Sequence, residues 1–132
     1  MKLRLAGPDD ADLFFRLRND PEAIDASPGR HIISEAEHAE WWRSGRDLRL
    51  VAEDMSTVGI LRVSESGAVS IIVAPECRGC GYGTEMLRAL REGLKPVGPT
   101  LTADVLPTNL RSQGAFLAAG WVPTRFVCPR TT

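Results

Sequence analysis

The spacing of hydrophobic and polar residues in the N-terminal third predicts one short strand and a helix. Residues 2–6 alternate between polar and apolar side chains and predict a first strand. Apolar residues then recur at helical spacing until the polar turn at residues 19–21, which predicts a first helix. Residues 20–33 show no periodicity and predict a loop.

A second helix is predicted by a capping box at residues 34–37, Ser-Glu-Ala-Glu. The hydroxyl of Ser34 would accept a hydrogen bond from the amide of Glu37, whose carboxylate would reach back to the amide of Ser34. This helix is expected to run through Trp41 and Trp42 and to end at Gly45.

Three apolar stretches follow in close succession, at residues 48–53, 57–63 and 68–73. The links between them are too short for a crossover, so consecutive stretches must run antiparallel. They predict an antiparallel meander.

The C-terminal part alternates between helical and strand patterns. Leucines recur at helical spacing after the meander, prolines and glycine at residues 96–99 end that helix, and residues 101–106 predict a fifth strand. A strand, a helix and a strand in succession form a right-handed crossover, so the fifth strand is expected to run parallel to the fourth. Asn109 caps a last helix, Gly120 closes it, and residues 121–128 predict one more strand.

Together these elements predict an α/β (α+β) fold. We expect a mixed, twisted sheet of about six strands, an antiparallel meander followed by parallel fourth and fifth strands, with helices on both faces. A length of 132 residues, 43% of them hydrophobic, fits a single domain over residues 1–132. The short segment after Gly120 leaves room for little more than one strand, so we predict an open sheet edge and a homodimer that covers it.

Charge and hydropathy exclude several kinds of partner. The net charge is -1 and no basic block stands out, which argues against broad binding to nucleic acid. No window approaches about 18 consecutive apolar residues, and the N-terminus lacks the pattern of a signal peptide. The sequence therefore predicts a soluble, cytoplasmic protein with no membrane partner.

The candidate chemistry lies in a glycine-rich segment between an apolar strand and a helix. Residues 78–84 are Arg-Gly-Cys-Gly-Tyr-Gly-Thr. The three glycines can adopt positive φ, so the backbone amides of this segment are expected to turn inward around an anion. The helix N-terminus and the guanidinium of Arg78 add positive charge, which makes a pyrophosphate the predicted ligand.

Two of the three cysteines, Cys77 and Cys80, form a Cys-x-x-Cys pair. A structural zinc would need four ligands, but a second pair is missing and His31 and His38 lie far upstream, so no metal site is predicted. A thioredoxin-like dithiol at a helix start is an alternative. Ordinary reduced thiols are the favoured interpretation.

Two blocks of residues in the second half of the chain form a recognisable pattern. The first is Arg78, two residues, Gly81, one residue and Gly83, and it follows a Val-x-Pro at Val73 and Pro75. The second block is an Asn-x-x-Ser, an aromatic residue and a Gly-aromatic pair: Asn109, Ser112, Phe116, Gly120 and Trp121. In order and spacing these blocks resemble the GNAT superfamily of acetyl-CoA-dependent N-acetyltransferases, and the resemblance covers most of the chain.

The resemblance implies acetyl-CoA as co-substrate and transfer of the acetyl group to a primary amine by direct attack on the thioester. The fourth and fifth strands would splay apart, and the pantetheine arm would pair with the fourth strand. The amide of Val73 would donate to the thioester oxygen. The implied cofactor-binding residues are Ile72, Val73, Ala74, Arg78, Gly79, Cys80, Gly81, Tyr82, Gly83, Thr84, Asn109 and Ser112.

Proton transfer is not assigned by the pattern. Many relatives carry a tyrosine where this chain has Phe116, which cannot protonate the departing thiolate, so the general acid is left open. The candidate general bases are Glu53, Glu65, His31 and His38.

The acceptor site is expected in the N-terminal third. The segment around Arg18, Asn19, His38 and Trp41 resembles a branch that acetylates nucleotide-linked 4-amino sugars and a branch that modifies ribosomal protein N-termini. Arg18 would meet a phosphate, and Trp41 would stack on a base or a sugar; packing residues and a solvated helix end are the alternative. A non-catalytic module that only binds acetyl-CoA is the third functional alternative.

Overall fold

The computed structural model describes residues 1–26, 31–94 and 101–121, and these form one four-stranded antiparallel sheet with helices on both faces. The strands lie side by side in chain order: β1 (Lys2–Leu5), β2 (Leu48–Asp54), β3 (Ser56–Val63) and β4 (Val69–Val73). The helices are α1 (Ala11–Arg18), α2 (Pro21–Ala26), α3 (Glu35–Ser44), α4 (Tyr82–Leu94) and α5 (Leu110–Ala118). Single 3-10 turns, Pro8–Asp10 and Pro75–Cys77, precede α1 and the glycine-rich segment.

The predicted antiparallel meander of β2, β3 and β4 is confirmed. Its one irregularity is a bulge in β3: Ala52 pairs with Gly59 and Glu53 with Thr57, which leaves Val58 without a partner residue in β2. The carbonyl of Val58 accepts a hydrogen bond from the amide of Ala74, at 2.8 Å, just beyond the end of β4. The bulge therefore fixes the backbone at the point where β4 leads into the 3-10 turn.

Each face of the sheet has its own hydrophobic core, because side chains alternate between faces along a strand. One core packs against α4 and α5 and includes Leu61, Met86, Leu87, Leu90 and Phe116. The other packs against α1 and α3 and includes Phe14, Leu17, Val51 and Ile60, with Trp41 and Trp42 beside them. The predicted helices on both faces are confirmed.

Helix ends follow the predicted capping residues. The hydroxyl of Ser34 accepts from the amide of Glu37 at 3.1 Å, and Gly45 adopts φ 61° at the other end of α3. The side chain of Asn109 accepts from the amide of Ser112 at 3.1 Å and caps α5. Gly120 follows α5 with φ 92°.

The sheet differs from the prediction in its last strands. Residues 101–106 make a single parallel bridge, Ala68 to Thr102, instead of a strand parallel to β4. The amide of Val69 donates to the carbonyl of Thr102 at 2.7 Å, and beyond this point the described residues form no further ladder with β4. The described residues thus contain four strands rather than about six.

The predicted loop at residues 20–33 is also wrong in part, because residues 21–26 form the six-residue helix α2. Pro21 supplies the fixed φ that suits a first helical turn, and the carboxylate of Asp20 accepts from the amide of Ala23 at 3.2 Å. The polar turn at residues 19–21 is therefore a helix start as well as a helix end.

Three predictions fall on residues outside the described ranges. They are the helix stop at residues 96–99, the final strand beyond Trp121, and the open edge on which the homodimer depends; the homodimer stays a prediction. None of the described helices is long and apolar enough to cross a membrane.

Candidate active site

A cavity of about 480 Å³ opens where β4 and residues 103–105 separate. Its walls come from β4, residues 103–105, the glycine-rich segment, the first turns of α5 and the region of α1 and α2. The parallel bridge closes one end of the gap between β4 and residues 103–105. Beyond the bridge the two segments face each other across the cavity.

The backbone of β4 presents alternate residues to this gap. The amide of Val69 points to the Thr102 side, whereas the amide of Ala74 points to β3. Because successive backbone groups of a strand point to opposite edges, Ile71 and Val73 share the orientation of Val69. Their N–H groups face the cavity that both residues line.

This orientation shows internal backbone partners for two of the residues predicted to contact the cofactor. The amide of Ala74 donates to Val58 at 2.8 Å and its carbonyl accepts from Cys77 at 2.9 Å, so both groups are already paired. Ile72 pairs with Ile60 of β3 and directs its backbone groups into the sheet by the same alternation. Ile71, which was not predicted, is the residue of β4 that shares with Val73 an amide directed towards the cavity.

Two of the three glycines in the glycine-rich segment have the positive φ that the sequence predicts. Gly79 and Gly81 adopt φ 82° and 80°, and a Cβ at either position would meet no atom within 4 Å. Gly83 does not have a positive φ; a Cβ there would lie 3.3 Å from the Cβ of Ala115. Gly83 therefore serves the close approach of α4 to α5 instead of the turn.

The backbone amides of the glycine-rich segment donate no hydrogen bond to the described part of the protein. Within the described residues, no backbone or side-chain acceptor pairs with the N–H groups of Gly79, Cys80, Gly81, Tyr82, Gly83 or Thr84. The first intrahelical bond of α4 runs from the amide of Glu85 to the carbonyl of Gly81, at 3.2 Å. Amides that have no partner among the described residues, at the start of a 13-residue helix and next to a cavity, are the arrangement that suits an anion.

Arg78 lines this cavity, but its guanidinium is held by two carboxylates. One nitrogen lies 2.7 Å from Asp20 and another 2.7 Å from Glu22, and 14% of the side chain is exposed. The sequence predicted a cation directed at a pyrophosphate. The structure places it in an ion-pair network that links the glycine-rich segment to the start of α2.

Tyr82 and the α5 cap have internal partners too. The hydroxyl of Tyr82 donates to Asp54 at 2.9 Å, and this hydrogen bond to a carboxylate raises the pKa of the phenol. Asn109 and Ser112 both line the cavity, while the side chain of Asn109 is the helix cap and occupies the amide of Ser112. Phe116 is buried at the cavity wall and packs edge-on against Trp121, with ring centroids 4.7 Å apart.

Of the four candidate bases, only His31 lines the cavity. Glu53 pairs with Arg4 at 3.3 Å across β2 and β1, and Glu65 lies near Arg46 at 3.9 Å beside a different depression. His31 is exposed, and its Nε2 lies 3.2 Å from a carboxylate oxygen of Glu37.

His38 is a buried structural histidine. Its Nε2 lies 2.9 Å from the carbonyl oxygen of Ala11, which can only accept, so Nε2 carries the proton and Nδ1 accepts from Arg18 at 3.1 Å. Burial lowers the pKa of this imidazole, and neighbouring cations lower it further. With both nitrogens paired and the ring away from the cavity, the base and acceptor roles predicted for His38 do not fit its position.

The other residues predicted for the acceptor site are Asn19, which has a structural role, and Arg18 and Trp41, which lie at the cavity. The side chain of Asn19 donates to the carbonyl of Ile33 at 2.8 Å and accepts from its amide at 2.7 Å, so it joins the end of α1 to the approach to α3. Arg18 and Trp41 line the cavity. However, the guanidinium carbons of Arg18 and Arg49 each lie 4.0 Å from the centre of the Trp41 ring. The indole therefore packs against arginines and is not open for stacking on a base or a sugar.

The cysteine pair lacks the features of a reactive dithiol. Cys77 and Cys80 are both free, and burial together with the charge of Glu76 raises the pKa of the Cys77 thiol. Redox-active cysteines need a lowered pKa, since the thiolate is the nucleophile. The geometry therefore disfavours the dithiol alternative.

Sequence reasoning missed three contributors to the cavity. Ile71 follows from the two-residue period of a strand once Val73 is known to face the gap. Glu22 bonds to Arg78 across 56 residues, a distance at which the sequence carries no signal of contact. Arg62 lies directly opposite Arg49 in the register of β3 and β2, which only the pairing of the strands reveals.

Comparisons with known proteins agree with this architecture. The family model described as an acetyltransferase (GNAT) domain matches residues 1–122. No curated protein matches the chain.

Several solved structures share the fold. A domain from Methanocaldococcus jannaschii DSM 2661 superimposes with a TM-score of 0.82 at 19% identity, covering 96% of this chain and 94% of that one. The aminoglycoside acetyltransferase AAC(6')-Ib, in complex with coenzyme A and kanamycin, gives 0.80 at 20% identity, covering 98% and 94%. Spermidine N-acetyltransferase from Vibrio cholerae, in complex with CoA and spermine, gives 0.78 at 17% identity, covering 96% and 90%. At these identities the likeness shows the fold.

Proposed function

The chain belongs to the GNAT acetyltransferase domain family, and on that premise we propose that it transfers an acetyl group from acetyl-CoA to a primary amine. The observation that carries the proposal is a set of backbone amides that border one cavity and have no partner among the described residues. The amides of residues 79–84 would receive the diphosphate, and those of Ile71 and Val73 would receive the acyl-carrying arm.

The cofactor is proposed to lie in the gap between β4 and residues 103–105. Its pantetheine arm would pair with the free edge of β4 as an added strand, and the two amides available there are those of Ile71 and Val73. Pro75 ends this run because proline has no N–H. Asn109 and Ser112 would border the arm from α5.

The reaction needs no covalent enzyme intermediate. The neutral amine attacks the thioester carbonyl, the new C–N bond forms, and the carbonyl oxygen gains negative charge that the amide of Val73 stabilises. The C–S bond then breaks, releasing CoA as thiolate and leaving the acetylated amine. The proton lost by the amine nitrogen balances the one that the thiolate takes up.

The protein contributes position and electrostatics more than acid catalysis. Phe116 offers no proton at the wall where an acid would act. A thiol of pKa about 8.5 is a good leaving group near neutral pH, so the ammonium proton of the intermediate or a water is sufficient to neutralise it. The cavity wall that carries Phe116 instead keeps the thioester in an apolar environment.

We propose a small molecule with a primary amine as the acceptor class. The structural neighbours named above were solved with kanamycin and with spermine, which supports a small acceptor in this fold. A nucleotide-linked amino sugar stays one candidate within this class. A protein N-terminus is less well supported, because the comparisons above name small acceptors.

The test combines cofactor binding with thiol release. Calorimetry should show 1:1 binding of acetyl-CoA, and a thiol-reactive dye should report CoA release only when an amine from a panel of amino sugars, polyamines, amino acids and short peptides is added. Binding without turnover on any amine would favour the non-catalytic module. Absence of acetyl-CoA binding would overturn the proposal.

The same assay separates the dithiol alternative. Replacing Cys77 or Cys80 with serine should leave most acetyl transfer intact, since neither thiol takes part in the proposed reaction. Loss of all activity in both variants, with acetyl-CoA still bound, would instead favour thiol chemistry.

A further inference from the structure

Three arginines surround Trp41 on the α1 and α3 face of the sheet, and we call them the arginine cluster: Arg18, Arg49 and Arg62. Their guanidinium carbons lie 4.0, 4.0 and 5.8 Å from the centre of the Trp41 ring. Arg49 and Arg62 are directly opposite each other on β2 and β3. Like charges in that arrangement destabilise a sheet, so the cluster calls for compensating negative charge.

The protein itself supplies one carboxylate to the cluster, that of Asp47. Arg49 takes most of it: Nε donates to Asp47 at 2.8 Å, and the terminal nitrogens donate to the carbonyls of Trp42 and Trp41 at 2.8 and 2.6 Å. The Arg49 side chain is 9% exposed. Arg49 is therefore a structural cation, with its charge paired to Asp47 and each of its three nitrogens in a hydrogen bond.

Arg62 is only partly neutralised. Its Nε lies 3.8 Å from Asp47, the carboxylate already bound by Arg49, and a terminal nitrogen donates to the hydroxyl of Ser70 at 3.3 Å. The side chain is 39% exposed and lines the cavity together with Ser70.

Among the described residues, Arg18 has no carboxylate partner. Its one hydrogen bond in the described residues goes to the neutral imidazole of His38, at 3.1 Å. The described residues include every Asp and Glu of the chain, and none of these forms an ion pair with Arg18; Asp47 and Glu37 act on it only at longer range. Burial, and then the charges of Arg62 and Arg49, lower the pKa of this guanidinium.

A half-buried cation beside two other cations costs free energy that an anion in the cavity would offset. Arg18 is also held in place, with its guanidinium over Trp41 and a nitrogen on His38, so its remaining N–H groups are oriented in advance. A planar guanidinium with several free N–H groups is well suited to a carboxylate or a phosphate.

We propose that the acceptor amine carries an acidic group, a carboxylate or a phosphate, and that Arg18 and Arg62 bind this group at the cavity wall. This inference rests on the proposed acetyl transfer and adds the chemical class of its substrate. Two carboxylates line other parts of the same cavity, Glu22 and Asp104, and Glu22 is paired with Arg78 and Arg111. The basic character is therefore local to the Arg18 and Arg62 wall.

The test uses pairs of amines that differ only in the acidic group. Tyrosine with tyramine tests a carboxylate, glucosamine 6-phosphate with glucosamine tests a phosphate, and spermine tests a polyamine with no acidic group. In at least one pair the acidic member should have a kcat/KM about ten-fold or more above that of its neutral partner. The pair that responds identifies which acidic group is bound.

Matched variants attribute this preference to the cluster. Arg18→Gln and Arg62→Gln should each reduce the preference to within about three-fold, mainly by raising KM for the acidic member. Arg16→Gln on the same helix, where Arg16 is exposed and does not line the cavity, should leave it unchanged. Arg62→Gln also keeps the test valid if loss of the His38 contact unfolds the Arg18 variant.

Binding to protein saturated with CoA gives a second readout that does not depend on turnover. Calorimetry should show weaker binding of the preferred acidic amine to Arg18→Gln than to the parent protein, with acetyl-CoA affinity unaltered. The inference would be overturned by equal kcat/KM values within both pairs, by a preference for spermine, or by no binding of either acidic amine. In each of these cases, acetyl-CoA binding and turnover of neutral amines would still support acetyl transfer. Failure of acetyl transfer itself would show as absence of turnover on every amine, acidic or neutral, whether or not acetyl-CoA binds.

Discussion

His38 illustrates how one buried side chain links two helices and a functional arginine. It lies on α3, its Nε2 donates to the carbonyl of Ala11 at the start of α1, and its Nδ1 holds Arg18 at the end of the same helix. Such a bridge requires the neutral imidazole, because the protonated ring would have no acceptor for Arg18 and would add a cation beside it.

This requirement predicts a pH-dependent stability. Since burial lowers the pKa of His38 in the folded state, the unfolded chain binds a proton at its ordinary pKa of about 6.5 while the folded chain does not. The free energy of unfolding should therefore fall as the pH drops below about 6.5, with a limiting slope of about 1.4 kcal/mol per pH unit. Urea titrations at pH 7.5, 6.5 and 5.5 measure this slope.

The variant His38→Gln should remove most of that slope, because the side chain no longer titrates. It should also be less stable at pH 7.5 by about 1–3 kcal/mol, the usual cost of leaving a buried group without its hydrogen bond. His31→Gln, at the exposed histidine, is the matched control and should leave the free energy of unfolding at pH 7.5 within about 0.5 kcal/mol of the parent protein. An unchanged slope in His38→Gln would show that other groups cause the pH dependence.

At the scale of elements, the sequence predicted what depends on local rules and missed what depends on distant contacts. The Ser34 capping box, the glycine end of α3 and the antiparallel meander all follow from neighbouring residues, and all are confirmed. The last strand pair did not follow, because residues 101–106 meet β4 only at one bridge before they separate. That separation creates the cavity, and hydrophobic periodicity carries no information about it.

The candidate site divides by the same rule. The positive φ of Gly79 and Gly81 is a local property of glycine, and the sequence predicted it. The pairing of Arg78 with Asp20 and Glu22 depends on where α2 lies, and residues 20–33 were predicted to be a loop. That the amide of Ile71 faces the cavity while that of Ala74 faces β3 depends on which edge of β4 is free.

The glycine-rich turn gives a prediction at this scale. Gly79→Ala and Gly81→Ala should each destabilise the protein by about 1–2 kcal/mol, because an alanine at φ near 80° is strained even where a Cβ has space. The same strain would turn the amides of residues 79–84 away from a common point, so acetyl-CoA affinity should fall by about ten-fold or more. Thermal unfolding and calorimetry give the two quantities.

Gly93→Ala is the control for this pair. Gly93 lies in α4, its φ is not positive, and a Cβ there would meet no atom within 4 Å. Alanine should stabilise the helix by up to about 1 kcal/mol and leave acetyl-CoA affinity as it is. Undiminished affinity in both Gly79→Ala and Gly81→Ala would contradict the assignment of this turn as the diphosphate site.

At the scale of the whole molecule, Arg78 connects the two ends of the cavity. It follows the 3-10 turn after β4, while Asp20 and Glu22 belong to the start of α2, 58 and 56 residues earlier. The start of α2 and the proposed cofactor site are therefore joined by one ion-pair network. A diphosphate at the amides of residues 79–84 would attract the same guanidinium and compete with both carboxylates for it.

This competition predicts opposite effects for the two sides of the network. Arg78→Gln should weaken acetyl-CoA binding, because a cation next to the diphosphate is lost. Glu22→Gln should strengthen it by up to about five-fold, because a carboxylate that draws Arg78 away from the diphosphate is neutralised, and exposed ion pairs contribute up to about 1 kcal/mol. Glu40→Gln, at an exposed residue that pairs with Arg43 at 2.7 Å on α3, should change nothing. Weaker acetyl-CoA binding in both Arg78→Gln and Glu22→Gln would mean that the ion pair supports the site as a rigid structural unit. The opposite effects expected here require Arg78 to be shared between α2 and the cofactor.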